Sequence, residues 1–367
     1  MGSVPRIRAL MIILLATAAA MAAEAPRWLQ VTGPPELRFP RDHGAHFEYR
    51  TEWWYVTGLV ADEGGHRFGF QITFFRQGLA PGNPQPGDSR LRARQIVAAH
   101  LAIADISDQR FHHSERVRRV AAGLAGASQI DLDVWLDDWQ MQRRADGAIS
   151  VRARDPERGI GLDFELRPES EPVRHGDRGY SQKGEENGNA SVYLSWTRLQ
   201  VAGEIEVGSS PVAVTGDAWF DHEWGTSQLG AGVVGWDWFS LRLEDGRDVM
   251  LYQLRRADGS EDGFSSGTIV SPGGKAVRLA ADDFEIVPTE RWTSRRTGGT
   301  YPSRWRLRVP RYGLDLVVLP LLEDAELDGA ATTGVIYWEG PVEAGGSHVG
   351  EGFVELTGYA GTLEGLF

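Results

Sequence analysis

The stretch GDAWFDHEWGTS, from Gly216 to Ser227, sets Asp221, His222 and Glu223 among Trp219, Phe220 and Trp224. Three ionisable residues in a row belong on a solvated loop, whereas the flanking tryptophans are costly to leave in water. If the segment is extended its side chains alternate, so Asp221 and Glu223 face one way while His222 and Trp224 face the other. Two carboxyls on one face raise each other's pKa, and burial beside indole pushes in the same direction. A carboxyl that keeps its proton near neutral pH can serve as a general acid. The competing reading is that these acids satisfy backbone donors at a domain junction.

A second cluster lies in RDHGAHFEYRTEWWYVTG, from Arg41 to Gly58, which holds His43, His46, Glu48, Glu52, Trp53 and Trp54. His43 and His46, with Asp221, His222 or Glu223, could supply the nitrogen and oxygen ligands of a metal shell. The spacing matches no signature such as H-E-x-x-H, so neither a metal nor a cofactor is expected. Tryptophans border acids at Trp53 and Trp54 beside Glu52, at Trp219 and Trp224 around Asp221 and Glu223, and at Trp236 and Trp238 around Asp237. Aromatic walls with a few acids suit an apolar ligand with one reactive spot. Indole faces also stabilise a passing carbocation through their quadrupoles. The chain has no G-x-S-x-G elbow, no G-x-G-x-x-G and no phosphate loop, so serine-hydrolase and nucleotide chemistry have no support.

Strand patterns must position these residues. Phe68, Phe70, Ile72 and Phe74 alternate with polar or small neighbours, as do Ile130 to Leu136, Leu162 to Leu166, Val192 to Trp196, Trp305 to Val309 and Leu314 to Val318. Turns are marked at Asp62 to Gly65, Asp146-Gly147, Asp245-Gly246 and Asp258-Gly259. The best helical candidate is Ser114 to Leu124. Ala80 to Arg90 reads as a proline and glycine loop, and Glu169 to Ala190 as a long polar connection. A loose repeat relates Glu52–Arg76 to Trp236–Arg255: each opens on tryptophans, turns at glycine and returns through a strand ending in arginine. The chain therefore reads as all-β, built from two similar β-domains.

With 367 residues, 41% of them hydrophobic and 24% charged, the chain can bury a sizeable core. Its net charge of -13, with no compact basic block, argues against nucleic acid as a partner. Arg6 and Arg8 precede the apolar run Ala9 to Ala20 and an A-x-A site at Ala20-Met21-Ala22, the pattern of a secretory signal peptide over residues 1–22. That run is shorter than the ~20 residues of a membrane span. The expected location is secreted or periplasmic, with no stable span in the mature chain. There is no cysteine, hence no disulfide framework, thiolate site or lipid-attachment cysteine.

The motifs FPRDHGAHFEYRTEWWYVTG, HGDRGYSQKG, NASVYLSW, GDAWFDHEWG, GWDWFSLRL, YWEG and GFVELTGY, in that order from Phe39 to Tyr359, resemble the carotenoid 1,2-hydratase/AttH family. The resemblance implies two lipocalin-like (calycin) β-barrel domains packed together, over residues 36–226 and 230–367, with the site where they meet. Members of that family with assigned chemistry add water to an isoprenoid double bond. Carried onto this chain, the acidic motif falls on Asp221, His222 and Glu223. Asp221 is the first choice to protonate an alkene, and His222 or Glu223 would hold the attacking water.

The expected ligand is a hydrophobic, isoprenoid or lipid-like small molecule in the pocket between the domains. Glu52, Trp53, Trp54, Tyr193, Trp219, Trp224, Trp236, Asp237 and Trp238 are its candidate contacts. Arg178, Ser181 and Lys183 on the polar connection are candidates for a lid, against the alternative of a solvated loop. Two other functions stay open: a carrier without chemistry, and a hydrolase with a carboxylate-activated water.

Overall fold

The computed structural model describes residues 27–82, 93–208, 210–227, 229–361 and 363. The segment read as a signal peptide lies outside these residues, as does most of the proline and glycine loop. Among the described residues helix is confined to short 3₁₀ turns, and no helix is long and apolar enough to cross a membrane.

The first sheet opens with β1 (Thr51–Ala61), β2 (Arg67–Gly78), β3 (Gln95–Asp105) and β4 (Arg110–Arg119). It continues through β5 (Ala125–Ala127), β6 (Asp133–Leu136), β7 (Trp139–Arg143), β8 (Ile149–Asp155) and β9 (Ile160–Pro168). Two short strands, β10 (Val173–Arg174) and β11 (Tyr180–Gln182), precede the long β12 (Ala190–Val207) and β13 (Pro211–Gly225). The spatial order is β4-β3-β2-β1-β13-β12-β9-β8-β7-β6-β5, with β10 and β11 added on β12. This sheet curls into a nearly closed barrel.

The second sheet uses β14 (Val233–Leu243), β15 (Asp248–Arg256), β16 (Ser266–Val270), β17 (Ala276–Ala280) and β18 (Glu285–Thr293). It ends with β19 (Thr300–Val309), β20 (Leu314–Pro320), β21 (Glu326–Gly329), β22 (Val335–Gly346) and β23 (Gly350–Thr357). Its order, β17-β16-β15-β14-β23-β22-β20-β19-β18, makes a half-barrel. The two loosely similar hairpins, β1-β2 and β14-β15, hold the same place: each lies between its sheet's third strand and its last. The fold is thus two lipocalin-like barrels, as the sequence pattern and the family likeness implied.

The period of two explains why β1 is apolar throughout. Trp54, Val56 and Val60 enter the first barrel's core, whereas Tyr55 and Leu59 join a separate apolar cluster with Tyr193, Trp219, Trp238, Tyr252 and Phe353. That cluster draws on both barrels and is the seam between them. A strand buried on both faces must be hydrophobic at successive positions. Gly69 lets the barrels close: a Cβ there would lie 2.8 Å from Pro341 Cγ and 3.2 Å from Phe353 Cζ.

Two sequence expectations are corrected. Ser114 to Leu124 is not helical; Arg110–Arg119 is β4, paired along its length with β3. Apolar residues at Val117, Val120, Ala121 and Leu124 mimic a helical spacing. Tertiary pairing overrides it, and Ser114, Arg116 and Arg118 share the strand face that meets Asp155, Asp138 and Asp137. The strand expected from Ile130 begins only at Asp133, and Ile130 itself is 78% exposed.

Candidate active site between the barrels

β13 carries the acidic motif in extended form. Its register against β1 sets Asp221 opposite Tyr55, His222 opposite Trp54 and Glu223 opposite Trp53. Asp221 and Glu223 therefore face the seam, and His222 faces the first barrel's interior. A cavity of about 90 Å³ opens at the seam. Its walls include Trp53, Tyr55, Phe75, Tyr193, Trp236, Trp238, Tyr252 and Tyr337, and its carboxyls are Asp221, Glu223, Glu339 and Glu355. A larger chamber of about 300 Å³ adjoins it, sharing Trp53, Phe75, Trp236, Tyr337 and Glu355 as walls.

Asp221 is held by donors on every side. Tyr193 Oη donates to Oδ2 at 2.7 Å, and Trp219 Nε1 and Ser195 Oγ donate to Oδ1. Burial raises its pKa to about 7, helped by the charge of Glu223 and opposed by those three donors. The carboxyl thus holds its proton up to near neutral pH. Tyr193 in turn accepts Trp238 Nε1 at 3.0 Å, so the acid is anchored from the second barrel as well.

Glu223 has a different environment. Lys183 Nζ pairs with its Oε1 at 2.9 Å, and Ser191 donates to the same oxygen. The Lys183 ammonium also lies 4.3 Å from the centre of the Tyr252 ring. Burial works against the lysine's charge, but Glu223 and Tyr252 carry its pKa above the ordinary value. Two carboxyls on one strand face are thereby set to different tasks, one neutral acid and one ion-paired anion.

The second barrel contributes a carboxyl pair that the sequence reading missed. Glu339 on β22 and Glu355 on β23 are cross-strand partners, and Tyr55 Oη donates to Glu339 at 2.5 Å. Burial, then the neighbouring Glu355, pushes Glu339 well above the usual carboxylate range. Burial raises Glu355 to about 7, with Trp236 Nε1 opposing and Asp221 adding to the rise. Both acids stand in motifs quoted above, YWEG and GFVELTGY. Alternation along those strands was the available signal, since it puts Tyr337, Glu339 and Glu355 on one face. Nothing in the sequence indicated that this face meets Asp221.

The other candidates are distributed as follows. Trp53, Tyr193, Trp236, Trp238 and Lys183 line the cavity, and Trp219 sits behind Asp221. Ser181 is buried against the Tyr252 hydroxyl at 3.1 Å. Arg178 is exposed beside Asp177, away from the cavity. Asp237 points away from it too, bound by Arg255 Nε at 2.8 Å and by the Tyr359 hydroxyl. The Glu169 to Ala190 connection includes β10 and β11, which strap it onto β12.

Glu52, Trp54 and His222 lie on the first barrel's side of their strands, and Trp224 joins a separate apolar cluster with Val31, Ala190, Val192 and Leu194. His222 Nε2 and His46 Nδ1 both meet Glu52 Oε1, at 2.9 and 2.8 Å, while Arg76 Nε donates to Oε2 at 2.8 Å. Trp54 stacks on His222 and Trp224 on His46. The ligand atoms of His46, Glu52 and His222 lie within 4.8 Å of one another, the donor types of a two-histidine, one-carboxylate metal set. Those atoms are already committed. Burial opposes the Glu52 charge, yet Arg76 and both histidines hold its pKa well below normal. His46 is carried above its ordinary value by Asp42 and Glu52 despite burial. Asp42, His46, Glu52 and Arg76 thus balance as an ion network, in which Arg76 Nη1 and the adjoining His222 Nδ1 are buried without a hydrogen-bond partner among the described residues. His43 stacks between Phe39 and Trp196 instead, and Asp221 and Glu223 face the opposite side of β13.

The AttH-like family model matches residues 30–359, across both barrels. The chain belongs to the AttH-like family. An AttH protein from Nitrosomonas europaea is 35% identical, with a TM-score of 0.81 over 90% of this chain and all of that one. Kievitone hydratase from Nectria haematococca shares the fold at 15% identity, with a TM-score of 0.67 over 92% of this chain and 97% of its own. No curated protein matches the sequence.

Proposed function

We propose that this AttH-like protein adds water to a carbon–carbon double bond of an apolar, isoprenoid-like molecule, with Asp221 as the acid. One observation carries the reading: a carboxyl with its pKa raised to about 7 faces an aromatic cavity between the barrels. The family resemblance and the hydratase name of one structural neighbour support the same reaction class.

Asp221 gives its proton to one alkene carbon, the π pair forms the new C–H bond, and a tertiary cation is left on the other carbon. Trp53, Trp236 and Trp238 supply ring faces for that cation. Water from the adjoining chamber forms the C–O bond and passes a proton to Glu355, which borders both spaces. His222 is turned away and Glu223 is engaged by Lys183, so neither is the preferred base. The outer chamber accommodates the rest of a long substrate. We further place the mature protein outside the cytoplasm, on the strength of its N-terminal sequence.

The test is to incubate the purified protein with acyclic isoprenoid alkenes of graded length and follow the gain of one water by mass spectrometry. Loss of that product in Asp221→Asn is the expected result. Two cleavage products would point to a hydrolase instead. A copurified ligand that is never turned over would point to a carrier.

A further inference from the structure

We propose that Tyr337, His100, Thr332 and Glu115 form a relay that carries protons from the cavity between the barrels to the protein surface. The inference rests on the hydration reading, because the proton removed is the one lost by the attacking water.

The chain of contacts is continuous. Tyr337 lines both the cavity and the adjoining chamber, on the strand face that bears Glu339 and Glu355. Its hydroxyl lies 2.9 Å from His100 Nδ1. His100 Nε2 lies 2.8 Å from Thr332 Oγ1, and Thr332 donates to Glu115 Oε2. The Glu115 side chain is 17% exposed, whereas that of His100 is fully buried.

Donors and acceptors admit a single outward sense. Glu115 as a carboxylate only accepts, so Thr332 gives it the hydroxyl proton, as its hydrogen bond shows. Thr332 can then accept from a protonated Nε2, which leaves Nδ1 bare to accept from Tyr337. A neutral imidazole meets both demands at once. Burial, with the charge of His113, lowers the His100 pKa to about 3 and keeps the ring neutral.

The ring is also held in place. It packs edge-on against Phe75 and stacked against Tyr337. Gly329 closes its other side: a Cβ there would stand 2.7 Å from His100 Cε1. Strands β3 and β4 supply His100 and Glu115, while the second barrel supplies Thr332 and Tyr337. The relay therefore exists only when the barrels are docked.

The transfer balances. A water in the space that Glu355 and Tyr337 both line takes the proton from Glu355 and gives one to the Tyr337 oxygen, as Tyr337 passes its own to Nδ1. His100 releases the Nε2 proton to Thr332, and Thr332 releases its proton to Glu115. One proton leaves through Glu115, and the Asp221 carboxylate regains one from a hydronium ion of the solvent that enters by the chamber, so that a turnover consumes no net proton. His100 and Glu115 line neither space and Thr332 borders only the outer chamber, away from the reacting carbons, so all three are positioning and relay residues.

Two measurements test this. In ¹⁵N-labelled protein without substrate, His100 should show a bare Nδ1 and a protonated Nε2, and Thr332→Val should shift population to the other tautomer. A wild-type ring protonated on Nδ1 overturns the relay whether or not any alkene is hydrated. On a substrate that the wild type hydrates, Thr332→Val and Glu115→Gln should lose roughly tenfold or more in kcat, and Glu115→Gln, at a position that lines neither space, should leave KM unchanged. They should also show a larger solvent deuterium isotope effect, and added imidazole should restore His100→Ala. Hydration that needs Asp221 but ignores Thr332→Val and Glu115→Gln overturns the relay alone. Hydration indifferent to Asp221→Asn overturns the reading beneath it.

Discussion

Glu339 and Glu355 stand directly opposite each other on β22 and β23, with no cation between them in the described structure. Like charges in that position repel, so the pair is stable only while it holds a proton. Glu339, pushed well above the usual carboxylate range, keeps that proton, which leaves Glu355, raised to about 7, as the member of the pair that can ionise and act as base near neutral pH.

The pH dependence of stability follows. Asp221 and Glu355 titrate near 7 when folded, well above their values in an unfolded chain. Between about pH 4 and pH 7 the folded state binds more protons than the unfolded one, so their contribution falls as pH rises across that window. It is fully present below the window and lost above it. The buried histidines His43, His100 and His175, held neutral with pKa values of about 3, give the opposite slope up to the ordinary histidine range. The test is therefore the difference between proteins: from pH 5.5 to pH 8 the melting temperature of Glu355→Gln should fall less, or rise more, than that of the wild type. Parallel profiles for the two proteins would contradict a buried neutral Glu355.

Asp221→Asn keeps the shape of the side chain and removes its acidic proton. Ser195 and Trp219 can still donate to the amide oxygen, and the amide NH2 that replaces Oδ2 can donate to the Tyr193 hydroxyl, so folding should be little changed. Turnover on a hydrated alkene should fall by roughly 10²- to 10⁴-fold. Tyr193→Phe should cost less, since it removes one donor and leaves the acid. Comparing kcat in the two variants at pH 6 checks the order.

Trp53 and Trp54 separate function from stability within one dipeptide. Trp54 is 1% exposed in the first barrel's core, its indole donating to the His43 carbonyl, whereas Trp53 lines the cavity. Trp54→Ala should cost about 3–5 kcal/mol in urea unfolding. Trp53→Ala should cost distinctly less and weaken ligand binding more. Equal losses of stability would show that the two faces of β1 are not distinct.

Period-two alternation in the sequence was enough to foresee the split of Asp221 from His222, because β13 is a regular strand whose neighbours fix its pleat. It also conveyed the repeat, since β1-β2 and β14-β15 are local hairpins. Alternation fails where the partner is distant. Asp237 borders two cavity tryptophans and so looks like a site residue, yet the same rule that aims Trp236 and Trp238 at the seam aims Asp237 the other way, at Arg255. Glu339 and Glu355 escaped notice because their meaning depends on which face of the second barrel docks against the first. That choice is made by shape at Gly69, Pro341 and Phe353, and short motifs do not carry it.

The Lys183–Glu223 pair tests whether the strap from Glu169 to Ala190 is tied to the cavity. Both side chains are almost fully buried and 2.9 Å apart. Removing one partner strands the other, so Lys183→Met or Glu223→Gln alone should destabilise by roughly 3–5 kcal/mol. The double variant should recover part of that loss, because no charge is left unpaired. Additive losses in denaturant titrations would mean that the pair is not coupled.

Gly69 offers the last test, of the docking itself. Its missing Cβ is what allows β2 to approach Pro341, whose ring cannot swing aside. Gly69→Ala should therefore force the barrels apart by a few tenths of an ångström and cost about 1–3 kcal/mol as an overpacking change. The cavity acids and the Tyr337–His100 contact straddle the same seam, so activity should fall together with stability. Gly65 is the control: it sits in the β1-β2 turn, where a Cβ would meet nothing within 4 Å but the backbone φ is +82°. Gly65→Ala should thus destabilise through local strain while leaving the seam intact. If both variants lost activity in the same proportion to stability, the approach at Gly69 would have no special bearing on the site.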